Sequence, residues 1–69
     1  MPLTMVGSGQ QSTVKRVGGN EKTRLFLEKL GFVNGALVTV VSETGGNVIV
    51  NVKNSRVAIG KEMANKIIV

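Results

Sequence analysis

RLFLEKLGFVNGALVTVV, residues Arg24 to Val41, changes rhythm halfway along. The first half spaces its apolar residues as a helix does, with Phe26, Leu27 and Leu30 on one face at i, i+1 and i+4. The second half, Ala36 to Val41, is a β-branched run that reads as a strand continuing to Glu43. Two glycines bracket the change. Gly31 stands where a left-handed residue closes a helix, and Asn34-Gly35 is a strong turn signal. Phe32 and Val33, between them, are expected to carry the chain back onto the core. A helix and a strand separated by so short a turn are forced into contact.

Working outward, Asn20 is a helix N-cap, because its side-chain oxygen can accept from a free first-turn amide. Glu21 then suits the positive end of the helix dipole. Upstream, Gln11 to Val17 reads as one short strand with Val14 and Val17 inward, and Met1 to Gly9 as a lead-in strand or loop. Downstream, Thr44-Gly45-Gly46 is a turn, and Asn47 to Lys53 alternates cleanly with Val48, Val50 and Val52 on one face. Asn54-Ser55 has the spacing of a two-residue hairpin turn before a strand from Arg56 to Gly60. Gly60 to Lys66 reads as one helical turn carrying Met63 and Ala64 inward, and Ile67 to Val69 as a last strand. The expected fold is mainly β: a small, bent barrel with one inserted α-helix and a short C-terminal helical turn, residues 1–69 forming one domain.

With 69 residues and no cysteine or histidine, the chain has neither a disulfide nor a zinc site to staple it. A domain this small buries roughly 60% of the surface its unfolded chain exposes. Aliphatic side chains must therefore supply the core, and only Phe26 and Phe32 are aromatic; both are expected to be buried. MPLTMVGSGQQ lacks the basic and apolar regions of a signal peptide. No apolar run approaches the roughly 20 residues that span a bilayer. A cytoplasmic location is expected.

The side-chain inventory excludes most chemistry. General acid–base and nucleophilic catalysis draw on His, Cys, Asp or paired carboxylates; this chain has four Glu and none of the others. The same shortage argues against a metal site or a cofactor. Gly7 to Ser12 imitates the start of a dinucleotide fingerprint, but no buried strand precedes it and no helix follows. Nine Lys and Arg against four Glu give a formal +5 that favours acidic partners, although the cations are scattered rather than blocked. Nucleic-acid binding is a candidate on charge and is disfavoured by the lack of exposed aromatic platforms. Leu25 lies about 140° around the helix from Leu30. Either it packs under the N-terminal strand, or it is an exposed apolar spot between Lys22 and Lys29 of the kind that docks an acidic partner.

The order MPLT, Gly9-Gln10, R-x-x-L-x-x-L-G at Arg24, Leu27, Leu30 and Gly31, then Gly35 and LVTVV, resembles the ferrous iron transport protein A (FeoA) family. RVAIGKEMANKIIV resembles that family's C-terminal pattern through Arg56, Ala58, Ile59, Lys61, Ala64 and Ile67. Asn34 stands where the family usually has proline, the loop at Glu43 to Gly46 is shorter, and Gly60 replaces a commonly basic residue. The resemblance implies an SH3-like barrel without enzymatic activity. It also implies a cytoplasmic accessory role in bacterial ferrous-iron uptake, through contact with the membrane transporter, ferrous iron transport protein B (FeoB). The alternative is a basic barrel that binds nucleic acid or serves as a free-standing regulatory module. Lys22, Leu25 and Lys29 on the helix, with Lys53 and Arg56 near the hairpin tip, are the expected partner-binding residues. Calorimetry with Fe(II) is expected to show no tight, stoichiometric uptake by the isolated chain; a saturable site at one ion per chain would overturn the composition argument.

Overall fold

The computed structural model describes residues 1–69. Helix α1, Glu21–Leu30, begins where the Asn20 side chain accepts from the Thr23 amide at 2.8 Å. It ends at Gly31, whose φ of 110° is left-handed. There the Gly31 amide donates to the Glu28 carbonyl and the Phe32 amide donates to the Leu27 carbonyl, each at 3.0 Å. This is the paired bonding of a Schellman motif, and its usual apolar contact is present because Leu27 and Phe32 are both fully buried. The helix end, rather than the whole helix, is thereby fastened to the core. Phe32 returns the chain as expected. Val33 does not: it is 37% exposed, in a tight turn where its amide donates to the Gly31 carbonyl at 3.0 Å.

The next three strands form an antiparallel meander: β3, Leu37–Thr44; β4, Asn47–Val52; and β5, Ser55–Gly60. Val38, Val40, Val48, Val50 and Val52 line its inner face and are all buried. The β3–β4 register slips between Val40 and Ser42, leaving Val41 as an extra residue. This bulge is why two valines adjoin in the quoted stretch, and it bends the strand toward closure. Gly45-Gly46 joins β3 to β4 with both φ positive, the twist that tight hairpins favour. The β4–β5 turn is Lys53-Asn54, at φ 51° and 62°, one residue earlier than the expected Asn54-Ser55. Two non-glycine residues in that conformation carry no turn signature as obvious as Asn-Gly.

The expected single strand from Gln11 to Val17 is two. β1, Gln11–Thr13, pairs with β3, while β2, Arg16–Val17, pairs with β6, Ile67–Ile68. Val14 divides them: it is fully buried, its amide donates to Ala36 at 2.9 Å and its carbonyl accepts from Gly35 at 2.7 Å. The chain so crosses from the four-stranded sheet, ordered β1-β3-β4-β5, to the two-stranded one. The N-terminal segment follows the loop alternative, with a 3₁₀ turn at Leu3–Met5 whose buried Leu3 joins the core. Helix α2, Lys61–Ala64, buries Ala64 and leads into β6, as read from the sequence. The fold is mainly β, a small barrel of two sheets whose ladders do not close into a ring.

A side chain at Gly31 would adopt a left-handed conformation, and its Cβ would meet Lys53 carbons at 3.1 and 3.2 Å. Gly31→Ala is expected to cost about 1–2 kcal/mol in urea unfolding, and Asn20→Ala about 1 kcal/mol. Unchanged midpoints would contradict these assignments.

Candidate docking surface

No polar or charged side chain is buried in this fold. The four glutamates are dispersed. Glu21 and Glu28 sit two turns apart on α1, Glu62 is on α2, and Glu43 is paired with Lys61 at 2.7 Å. Lys61 is the one cation in an ion pair. The remaining lysines and arginines face solvent without a carboxylate within bonding distance.

Helix α1 presents the most structured patch. Leu27 is its only fully buried residue, with Thr23 and Leu30 half-buried beside it. Leu25 is 47% exposed and does not pack under the N-terminal segment. Phe26 is 46% exposed, contrary to its expected place in the core. Leu27 takes the core-facing position of the helix, and the aromatic ring inside is that of Phe32. Lys22, Leu25, Phe26 and Lys29 fall at i, i+3, i+4 and i+7, so each lysine neighbours both apolar side chains.

The two apolar residues differ in their other neighbours. Leu25 has Glu21 at i−4 and Glu28 at i+3, so it is not ringed by cations alone. The charged neighbours of Phe26 along the helix are Lys22 and Lys29 only. Phe26 is thus an exposed apolar side chain that the helical pattern concealed. The signal available was lysine at both i−4 and i+3, which marks a side chain at the solvent boundary.

Lys53 lies against the other end of this helix, its Cγ and Cδ over Gly31. It also borders an open groove of about 780 Å³ between the outer sheet face and the α1–β3 connection. Val33 and Leu37 supply the groove's apolar floor, the latter 58% exposed, and Gln11, Thr39 and Asn51 its polar side. Arg56 is not part of this groove; it stands on β5 opposite Asn51. The fold therefore brings Lys53 to the helix end and leaves Arg56 on the outer sheet.

Comparison with known proteins places this architecture. The model of the FeoA domain matches residues 1–69. A protein of Methanocaldococcus jannaschii named as an Fe(2+) transport protein A is 31% identical over 68 residues, covering 99% of this chain and 83% of that one. The crystal structure of an iron uptake regulatory protein (FeoA) is 32% identical, superposes with a TM-score of 0.88, and covers 97% of this chain and 91% of that one. The zinc-complexed FeoA of Stenotrophomonas maltophilia, described as a prokaryotic SH3 domain protein, is 26% identical with a TM-score of 0.86, covering 99% and 87%. A manganese-dependent transcriptional repressor shares the fold at 20% identity and a TM-score of 0.87, this chain spanning 39% of it.

The two phenylalanines should separate in stability measurements. Phe32→Ala is expected to cost about 3–5 kcal/mol, whereas Phe26→Ala should cost about 1 kcal/mol or less. Equal losses in chemical unfolding would return Phe26 to the core.

Proposed function

This chain belongs to the FeoA family, and on that premise we propose that it is a cytoplasmic accessory protein of ferrous-iron uptake. It acts by docking on the cytoplasmic region of the membrane transporter FeoB, not by holding the ion. The observation that carries the reading is the Leu25–Phe26 pair framed by Lys22 and Lys29, on a helix fastened only at its far end and inner side. Half-exposed apolar side chains beside unpaired cations suit a partner surface that is itself amphipathic and acidic. An activating role in ferrous iron transport has been suggested for the Stenotrophomonas relative, which supports an accessory function here. No helix of this chain is long and apolar enough to cross a membrane, and contact with the transporter from one side fits that.

A second reading draws on the same ring. A half-exposed phenylalanine between two lysines is a minimal platform on which a nucleic-acid base can stack. Its signature is affinity for single strands that falls steeply with salt and is lost on removing Phe26. Wild-type chain that fails to bind DNA and RNA at low salt eliminates it.

Co-purification with the transporter's cytoplasmic domain tests the first reading. Phe26→Glu and Leu25→Glu are each expected to weaken capture about tenfold or more, with Lys53→Glu having a smaller effect. Unchanged capture by both helix variants removes the helix surface; absent capture of the wild-type chain removes the reading.

A further inference from the structure

Strand β5 ends the four-stranded sheet, and no strand pairs along its outer edge. The tight turn at Lys53-Asn54 fixes which groups that edge presents. Val52 and Ser55 close the hairpin as a bonded pair, so Val57 and Ile59 also bond into β4. The amides of Arg56, Ala58 and Gly60 point the other way, and none makes a backbone bond outside the ladder. Arg56 and Ala58 are exposed and Gly60 is partly so. Edge strands are ordinarily blunted by proline, a bulge or a covering element; β5 has no proline, keeps an unbroken register with β4 and carries one charge, Arg56.

We propose that this edge pairs with β5 of a second copy of the chain, antiparallel, about a two-fold axis at Ala58. The strand is complementary to itself in that register. Ala58 faces Ala58 of the second copy, and their amides and carbonyls exchange bonds. Arg56 faces Gly60, whose missing side chain leaves room for the guanidinium and whose amide reaches the Arg56 carbonyl. On the inner face, Val57, half-buried in one copy, gains Ile59 of the other as a cross-strand neighbour. Beyond Gly60 the chain turns into α2, which limits the ladder to residues 56 to 60. Each copy carries a formal +5, so the pairing is weak and strengthens as salt screens the repulsion. The inference is independent of the docking helix.

Sedimentation equilibrium from micromolar to millimolar chain, at low and high salt, measures the association. The expected result is a dimer population that grows with concentration and with salt. In a mixture of labelled and unlabelled chain, isotope-filtered NMR should connect the Val57 and Ile59 α-protons across copies. Ala58→Pro removes only an outward-pointing amide, and Ala58→Lys sets two ammonium groups together on the axis. Each is expected to weaken association about tenfold or more without changing the helix or sheet content. If the proline variant fails to fold, the lysine variant decides, because Ala58 is exposed and its side chain lies outside the core. A monomer under all conditions, a dimer untouched by the variants, or inter-copy contacts elsewhere would each overturn the proposal. Capture of a strand from a different protein by an otherwise monomeric chain would overturn it too.

Discussion

The fold turns on one helix terminus. Gly31 in a left-handed conformation lets two successive amides satisfy the carbonyls of Glu28 and Leu27, and this aims Phe32 at the core beside Leu27. Any other residue there would be strained and would push on the side chains of Lys53 and Val52. Because the helix is anchored through its last turn, little of its circumference is needed for packing. Leu27 is buried, while Leu25 and Phe26, on either side of it around the helix, are left half-exposed. The constraint that completes the core therefore also produces the exposed surface.

Much of the architecture was legible from residue patterns because its signals are local. The Asn20 cap, the Gly31 terminus, the Asn34-Gly35 turn and the alternating valines of β4 each depend on a few adjacent residues, and all stand in the structure. What escaped depends on partners distant in the chain. The Gln11 to Val17 segment splits because Val14 is held by Gly35 and Ala36, some twenty residues downstream. The bulge at Val41 exists only relative to β4. The burial of Phe26 was overestimated because an apolar arc on a helix says how much could be buried, not how much core is available; here Phe32 and Leu3 occupy it. The candidate site was half legible. Lys22, Leu25 and Lys29 are exposed on one side of α1, whereas Phe26 beside them and the Val33–Leu37 groove were invisible to helical and strand periodicity.

Side-chain chemistry and surface geometry are consistent with the proposed docking role. A chain with glutamate as its sole acidic residue and no imidazole or thiol has a poor set of ligands for ferrous iron. Its buried residues are all apolar, or glycine. What remains is a basic little barrel with an amphipathic helix face, a groove that shares Lys53 with the helix end, and an open sheet edge. Such surfaces suit the docking proposed above, and the chain's family, FeoA, is the one its ferrous-iron transport relatives share.

The most direct examination of this account is an amide-resolved NMR footprint of the isotopically labelled chain as the transporter's cytoplasmic region is added. The account predicts perturbed signals along Lys22, Leu25, Phe26 and Lys29, while the amides of Leu27 and Phe32 keep their shifts because the helix terminus stays fastened. A footprint that spares α1 and falls elsewhere on the barrel would contradict it.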